Sequence, residues 1–422
     1  MNRTTAEQAI LAVRDGVRVF VGSGAAVPLG LLDAFATRAR HFRDVEVCQL
    51  LTLGPAPYVA PELEGHVRHN AFFVGLNTRA AVQAGRADFT PVFLSEIPLL
   101  LRTSMTIDVA LVQVSPPDAH GFCSLGVSVD IVKEAVEQAR VVIAEINPRM
   151  PRTHGDSFVH VSRLAAVVDV DHALPELAPE PIDEVSRAIG ANVASLVEDG
   201  DTIQTGIGAI PNAVLAALGD RRDLGVHTEM FSDGVVDLVE RGVITNARKT
   251  LRRGKLVTSF VMGTKRLYDF MDDHSIVEMR SSDYVNDPAV VARNRGMVAI
   301  NSALAIDLTG QVCADSIGSL IYSGVGGQVD FIRGAARAER GKPVLALPST
   351  AKNGTISRVV PELAPGSGVT TSRADVHWIA TEHGIVNLHG KTLRERARML
   401  IQLAAPQFRD ELAASAHARR LL

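Results

Sequence analysis

The chain has 422 residues, of which 46% are hydrophobic and 21% are charged, and its formal net charge is −4. This length exceeds what one ordinary hydrophobic core accommodates, so we expect two or more domains. The charge is small and negative, and no block of lysine or arginine interrupts the sequence. Nucleic acid and anionic membrane surfaces are therefore not expected as partners.

The sequence shows no signs of a secreted protein or of a protein stabilised by disulfides or a bound metal. The three cysteines, Cys48, Cys123 and Cys313, are odd in number and far apart, so no disulfide framework and no metal site is predicted. The first stretch, MNRTTAEQAILAVRDG, predicts an amphipathic helix with internal charges and not a signal peptide. Apolar runs such as IPLLL are too short to cross a bilayer. We expect a cytoplasmic protein.

Strand-like apolar segments alternate with helical segments along the chain, which predicts an α/β fold with mainly parallel sheets. In the first half the predicted strands are VRVFVG, VEVCQLL, HNAFFVG, FTPVFLS, DVALVQV and VVIAEI. In the second half they are DTIQTG, GVHTEM, GKLVTSF, GMVAI, SLIYSG, KPVLALP and WIATEHG.

The two halves also repeat each other. DGVRVFVGSGAAVPLGLL, from Asp15, aligns with DGDTIQTGIGAIPNAVL, from Asp199, and DVALVQVSPPDAHG, from Asp108, aligns with GMVAINSALAIDLTG, from Gly296. Two copies indicate a duplicated domain and not a solenoid. Prolines cluster without periodicity in HALPELAPEPID, so we place the boundary there, with one α/β domain over 1–180 and a second over 181–422.

Glycine-rich loops follow several of these strands. QTGIGAIP, at 204–211, is a strand-to-helix turn in which Pro211 replaces the third glycine of the dinucleotide fingerprint. Its N–H groups can face an anion or an oxyanion, although a plain tight turn explains it equally. In KNGTISRVVPEL, Lys352 is placed to meet a phosphate, and SGVGGQVDF is a further loop of this kind; each alone is typical of a structural turn.

Other candidate motifs are rejected. HGKTLRER departs from the phosphate-binding loop, because five residues and not four separate Gly384 from Gly390. No Gly-x-Ser-x-Gly nucleophile elbow is present. His154 and His160 have no third ligand nearby and are interpreted as structural.

The stretch GVHTEMFSDGVVDLVERG, from Gly225, predicts a strand, a turn and an amphipathic helix, with Glu229 at the strand's end. Strand alternation places His227 and Glu229 on one face. At the carboxyl end of a sheet, Glu229 either caps the helix starting near Asp233 or acts as a nucleophile. The residues alone leave both interpretations open.

Taken together, the motifs resemble the acetyl-CoA hydrolase/transferase group of class I CoA-transferases, nearest to 4-hydroxybutyrate and butyrate–acetate CoA-transferases. The similarity runs through nearly the whole chain. It is carried by GRADFTPVFLSEIP, VSPPDAHGFCSLGVSVD, NPRMPRTHGDSFVHVS, QTGIGAIP, HTEMFSDGVVDLVERGVITN, GGQVDF, LPSTAKNGTISRVV and the tail from RADVHWIATEHG to QFRDEL.

The resemblance implies two similar open α/β domains with the active site between them, and it implies that Glu229 is the catalytic carboxylate. It further implies that the CoA contacts are Gly206, Ile207, Gly208, Ala209, Ile210, Asn301, Gly327 and Lys352. His383, in TEHG, stands where the family often has an aromatic residue. The resemblance therefore does not define the acyl pocket at this position. The implied ligands are acyl-CoA and short-chain carboxylic acids, with CoA as substrate and covalent intermediate and no tightly bound cofactor. A homodimer or homotetramer is expected.

A carboxylate suits this chemistry, because its mixed anhydride with an acyl group allows one thioester to be exchanged for another. Two alternatives remain. One is an acyl-CoA hydrolase that uses the same glutamate, and the other is a non-catalytic metabolite-sensing domain. The sensing domain predicts a DNA-binding helix-turn-helix segment, for which the N-terminus leaves no room.

Overall fold

The computed structural model describes residues 2–422, which form two compact units. One unit takes in the chain up to Ala178 together with Val257–Val285, and the other comprises Pro179–Leu256 and Asn286–Leu422. The single boundary expected near residue 180 therefore differs from the structure in one segment, because Val257–Val285 belongs to the first unit. Backbone hydrogen bonds explain this, since Ser259 accepts from Val129 at 2.9 Å and Met279 accepts from Asp156 at 2.8 Å.

The first unit is built on a seven-stranded sheet in which every neighbouring pair is parallel. Its strands are β1 (Arg18–Val21), β2 (Val45–Gln49), β3 (Val67–Ala71), β4 (Ala87–Phe89), β5 (Val109–Val114), β6 (Val141–Ile146) and β7 (Ala166–Asp169). They lie in the order β4-β3-β2-β1-β5-β6-β7. The α-helices of this unit are Ala6–Ala9, Leu29–Arg38, Leu76–Gln83, Ile97–Thr103, Val132–Gln138, Lys265–Met271 and Ser282–Val285.

The second unit has a six-stranded sheet. Its strands are β8 (Thr202–Gln204), β9 (Gly225–Val226), β10 (Met297–Ser302), β11 (Lys342–Ala346), β12 (Trp378–Thr381) and β13 (Gly384–Asn387). They lie in the order β9-β8-β10-β11-β12-β13, and only the edge strand β13 is antiparallel. The α-helices of this unit are Glu184–Ala194, Ala209–Ala217, Asp233–Glu240, Pro288–Val291, Gln328–Arg337, Leu393–Leu403 and Arg409–Ala418.

The predicted α/β fold is confirmed, and the two sheets share one strand order. Five adjacent strands of the first sheet, β2-β1-β5-β6-β7, correspond one by one to five adjacent strands of the second, β9-β8-β10-β11-β12. In both sets the second strand along the chain lies beside the first, which is followed by the third, fourth and fifth. The repeated sequence segments fall on β1 and β8 and on β5 and β10, which are adjacent strands in each sheet. The duplicated sequence thus corresponds to a duplicated sheet topology.

Several details of the strand prediction differ from the structure. FTPVFLS is not a strand: β4 ends at Phe89, Pro91 lacks an N–H donor for a ladder, and Leu94–Glu96 form a 3-10 turn. SLIYSG contributes a short hairpin outside the main sheet, and β7 was not predicted. The remaining short strands are Phe122–Ser124, Phe158–His160, Met230–Phe231, Leu256–Thr258, Phe260–Val261, Val277–Met279, Ala305–Asp307, Val312–Cys313, Ser316–Ile317, Leu320–Ile321, Thr350–Ala351, Ile356–Ser357 and Val359–Val360.

Each unit has its own hydrophobic core. In the first, Phe35 and Leu111 belong to a cluster that packs helices on the sheet, and in the second Leu345 and Leu400 do the same. Across residues 2–422, no helix combines the length and the apolar character that crossing a membrane requires.

Candidate active site

Glu229 lies in a bend at the carboxyl edge of the second sheet. Strand β9 ends at Val226, so the assumption of a strand running to Glu229 was wrong, and the next strand begins at Met230. The buried Thr228 fixes this bend, because its hydroxyl donates to the Thr205 carbonyl at 3.0 Å or to that of Met230 at 2.7 Å. Glu229 itself is only partly buried.

The Glu229 carboxylate is oriented by a side-chain amide. Asn286 Nδ2 donates a hydrogen bond to Glu229 Oε2 at 2.9 Å. Asn286 is fully buried, and no hydrogen-bond partner of its Oδ1 is found in the described part of the chain. An amide that is buried and packed in this way restricts the rotation of the carboxylate it contacts.

Gly327 makes the space that Glu229 occupies. A Cβ on Gly327 would lie 1.9 Å from Glu229 Oε2 and 2.1 Å from Asn286 Nδ2, which is far inside van der Waals contact. Gly327 is also the N-cap of the helix Gln328–Arg337, so the carboxylate lies against a helix N-terminus, where partial positive charge stabilises an anion. Gln328 ties this helix to β10, since its Nε2 donates to the Ser302 carbonyl at 2.8 Å.

The loop Gly206 to Ile210 joins β8 to the helix Ala209–Ala217. Gly208 has a φ of 110°, a conformation available to glycine, and precedes the helix as its N-cap. The Ala209 N–H donates to Glu180 Oε2 at 3.1 Å, so a carboxylate already occupies this helix N-terminus. Ile207 is 38% exposed, which leaves an apolar side chain facing solvent from the loop.

Asn301 and Lys352 stand in different surroundings. Asn301 Nδ2 donates to Gln204 Oε1 at 3.0 Å, which joins the carboxyl ends of β8 and β10. Lys352 is exposed in the turn of the hairpin formed by Thr350–Ala351 and Ile356–Ser357. The structure therefore brings Glu229 and Gly327 together. Within residues 2–422, no hydrogen bond or ion pair joins Lys352 to either of them.

Three residues that support Glu229 were missed by sequence reasoning. Asn286 follows the helix Ser282–Val285 and lies 57 residues beyond Glu229, in a segment that reads as a helix-to-helix turn. Thr228 and Gln328 act through backbone carbonyls, which leave no signature in a sequence. Only the glycine pair of GGQVDF pointed to this neighbourhood.

His154 and His160 make local contacts away from Glu229. His154 Nε2 bonds Asp273 Oδ1 at 2.9 Å, and His160 caps the short turn Val161–Arg163, which agrees with the structural interpretation. Within residues 2–422, no group of three or more His, Cys, Asp and Glu side chains is arranged to hold a metal ion.

Comparison with known proteins adds a consistent set of similarities. The acetyl-CoA hydrolase/transferase N-terminal domain matches residues 2–199, and the C-terminal domain of the same name matches residues 263–416. Glu229 and the loop 206–210 lie in the stretch between these two matches. The chain is 50% identical to 4-hydroxybutyrate coenzyme A transferase from Clostridium kluyveri, over 97% of this chain and 95% of that one.

A second relative and a solved structure extend the comparison. Identity is 49% to the succinyl-CoA:acetate/propanoyl-CoA:succinate CoA transferase of Fasciola hepatica, over 96% of this chain and 86% of that one. RipA from Yersinia pestis superimposes with a TM-score of 0.95 at 38% identity, covering 100% of this chain and 98% of that one.

Proposed function

The chain belongs to the acetyl-CoA hydrolase/transferase family, and on that premise we propose that it is a CoA-transferase acting through Glu229. It moves CoA from a short-chain acyl-CoA to a free carboxylic acid of the acetate, butyrate or 4-hydroxybutyrate class. The observation that carries the assignment is the setting of Glu229, a partly buried residue whose carboxylate is hydrogen-bonded by a buried amide and given room by a glycine.

The first half-reaction replaces the acyl donor's thioester by a thioester on the enzyme. A Glu229 carboxylate oxygen attacks the acyl-CoA carbonyl, which forms an acyl-glutamyl anhydride and expels CoA thiolate. The thiolate then attacks the glutamyl carbonyl of the anhydride. This step forms the glutamyl–CoA thioester and releases the first acid as its carboxylate.

The second half-reaction runs the same steps backwards with a different acid. The incoming carboxylate attacks the glutamyl thioester carbonyl, giving a new anhydride and CoA thiolate. The thiolate attacks the acyl carbonyl of that anhydride, which forms the new acyl-CoA and returns Glu229 as a carboxylate. No oxidant, reductant or net proton is consumed.

Asn286 is suited to assist the steps that occur at the glutamyl carbon. Negative charge develops on the glutamyl oxygen in each tetrahedral intermediate there, and Asn286 Nδ2 already donates to Oε2 at 2.9 Å. A donor placed in advance at such an oxygen commonly contributes about 3 kcal/mol to the transition state. The N-terminus of Gln328–Arg337 adds a favourable field at the same atom.

The test is to trap the enzyme-bound thioester. Wild-type protein incubated with acetyl-CoA and no acceptor should carry CoA on the peptide that contains HTEMFSDG, and borohydride should convert that thioester to an alcohol. Addition of an acceptor acid should discharge it, and steady-state kinetics should be ping-pong. Glu229→Gln should form no adduct and show negligible turnover.

Glu240 provides a matched control, since it is exposed and lies on the same tryptic fragment as Glu229. Glu240→Gln should form the adduct as the wild type does. An adduct on another residue, or near-normal turnover by Glu229→Gln, would remove the proposed mechanism.

Hydrolysis of acyl-CoA is the second candidate, because the matched family includes hydrolases by its description. Water would attack the same glutamyl thioester in place of an acid. Release of free CoA without acceptor at the rate seen with acceptor would favour the hydrolase. We propose transfer to short aliphatic acids as the faster reaction, in a cytoplasmic homodimer or homotetramer.

A further inference from the structure

A cavity of about 500 Å³ opens at the carboxyl ends of β8, β10 and β11. Its walls include Ile207 to Pro211, Ser302 to Leu304, Ala346 and Pro348. Most of the lining residues are apolar, but polar atoms supply about half of the lining surface, and the charged members are Glu180, Asp183 and Arg358. Arg358 is therefore the one cation of a lining that also contains two carboxylates.

The guanidinium of Arg358 is held by a backbone carbonyl and not by an ion pair. Its backbone N–H donates to the Ser349 carbonyl at 2.8 Å, and its Nη1 donates to the Ala303 carbonyl at 3.3 Å. Its Nε is buried without a hydrogen-bond partner, and within residues 2–422 the side chain forms no ion pair. A partly buried guanidinium with an unused N–H is costly unless a ligand supplies the acceptor.

One acidic side chain, Glu382, acts on Arg358 through its charge without forming an ion pair with it. Glu382 accepts hydrogen bonds from the Ser349 N–H at 2.8 Å and from its hydroxyl at 2.5 Å. Burial lowers the pKa of Arg358 below its usual value, while the charges of Tyr322 and Glu382 act in the opposite direction. A guanidinium in a protein keeps its proton at neutral pH, so Arg358 is a cation there.

We propose that Arg358 is the anion-binding residue of this cavity and that it holds a phosphate group of the CoA substrate. This inference rests on the proposed CoA-transferase function. The cavity falls in the size range of sites for cofactor-sized ligands and is much larger than a two- to four-carbon acid needs. Its wall includes Ile207 to Ile210, four of the five loop residues that the sequence assigned to CoA.

Among the residues that line the cavity, only Arg358 carries a positive charge, so it is the point at which a phosphate would attach. Glu180 already accepts the Ala209 N–H, so the helix N-terminus beside the cavity has its own carboxylate. An incoming phosphate is repelled by Glu180 and Asp183 and attracted by Arg358. A planar guanidinium fork matches a phosphate better than a lysine does.

The test pairs arginine variants with a truncated substrate. S-acetylpantetheine carries the thioester but none of the phosphates of acetyl-CoA. Arg358→Gln should raise the KM for acetyl-CoA about 10- to 100-fold, as expected for one lost charge-assisted contact, and leave kcat/KM for S-acetylpantetheine unchanged. Arg358→Lys should recover part of the loss, and the KM for the acceptor acid should stay constant.

Arg409 supplies the matched control, because its guanidinium also bonds backbone carbonyls, those of Ala404 and Gln402, and it does not line the cavity. Arg409→Gln should leave both KM values unchanged. Thermal unfolding of each variant identifies loss of folded protein, and if Arg358→Gln fails to fold, the Arg358→Lys comparison between the two substrates decides.

Three results would overturn the inference. An equal loss with acetyl-CoA and S-acetylpantetheine would show that Arg358 does not bind a phosphate. A rise confined to the KM of the acid would assign Arg358 to the acid's carboxylate. Unchanged KM values for a folded Arg358→Gln, in a protein whose wild type forms the Glu229 adduct, would refute the role while leaving the transferase proposal intact.

Discussion

At the level of single residues, the site requires a residue without a side chain at position 327. Glu229 Oε2 and Asn286 Nδ2 both occupy the volume that a Cβ at position 327 would fill. The φ of Gly327 is −97°, which any residue adopts, so the requirement for glycine is one of space and not of backbone conformation. The helix that begins there also contains Gly334, where a Cβ would meet Val291 at 2.5 Å.

These two glycines allow a matched prediction. Gly327→Ala should displace the Glu229 carboxylate and reduce adduct formation and kcat on the order of 100-fold, because a misplacement of about 1 Å costs that much. Gly334→Ala should lower the free energy of unfolding by about 1–3 kcal/mol through overpacking and spare the reaction of the folded protein. Adduct formation by mass spectrometry and urea denaturation measure the two effects, and equal activity of the variants would contradict the steric role of Gly327.

At the level of elements, the turn from β8 into the helix Ala209–Ala217 contains two glycines, Gly206 and Gly208, that differ in backbone conformation. Gly208 has a φ of 110°, so any other residue is strained there. Gly206 has no positive φ, and a Cβ there meets nothing within 4 Å. Both glycines were predicted as CoA contacts, but only Gly208 is required by the backbone.

We expect the two substitutions to act differently. Gly208→Ala should lower the free energy of unfolding by about 1–3 kcal/mol, because the backbone must strain or rearrange. Gly206→Ala should leave stability unchanged and, if CoA contacts this loop as proposed, raise the KM for acyl-CoA, since the added methyl group would enter the space proposed for CoA. Thermal unfolding and steady-state kinetics test this, and an unchanged KM for Gly206→Ala would exclude close contact of CoA with the loop at that residue.

At the scale of the whole molecule, the second unit contains every predicted site residue. The first unit contains two deeply buried ionisable groups, Asp130 and His69, whose pKa values are shifted in opposite directions. Burial raises the pKa of Asp130 to about 6, although the Ser23 hydroxyl and the Ile131 N–H donate to its carboxylate. Burial lowers the pKa of His69 to about 4, and its Nδ1 bonds the Val47 carbonyl at 2.9 Å.

These shifts give opposite pH dependences of stability. The folded state holds the Asp130 proton more tightly than the unfolded state, so this group lowers the free energy of unfolding as pH rises from about 4 to about 6. The folded state resists protonation of His69, so this group raises the free energy of unfolding between about pH 4 and about pH 6.5. Over this shared range the two contributions oppose each other.

Asp130→Asn should remove the decrease in the free energy of unfolding that Asp130 causes as pH rises. Relative to the wild type, the variant should gain on the order of 1–3 kcal/mol in free energy of unfolding as pH rises from 4 to 7, because a tenfold change in proton affinity corresponds to about 1.4 kcal/mol. His69→Gln should change the pH dependence in the opposite sense. Urea denaturation at several pH values measures both differences, and a pH-independent difference for Asp130→Asn would contradict the assignment.

The sequence by itself determined the α/β class, the duplication and the position of Glu229 near a sheet's carboxyl edge. These properties follow from local patterns, since apolar runs set the strands and repeated turn residues set the shared topology. The strand limits were less accurate, because FTPVFLS has the composition of a strand but contains Pro91, and β9 is only two residues long. Membership of Val257–Val285 in the first unit was also invisible, since it depends on backbone bonds to distant segments.

Only the tertiary structure decided what surrounds the carboxylate. Asn286 and Gly327 lie 57 and 98 positions beyond Glu229, and no periodicity connects residues at such separations. The same holds for Arg358, whose unused N–H and cavity exist only once β8, β10 and β11 have aligned their carboxyl ends. A sequence pattern identifies which side chains can do chemistry, whereas hydrogen bonds and steric exclusion between distant segments determine how each one is held.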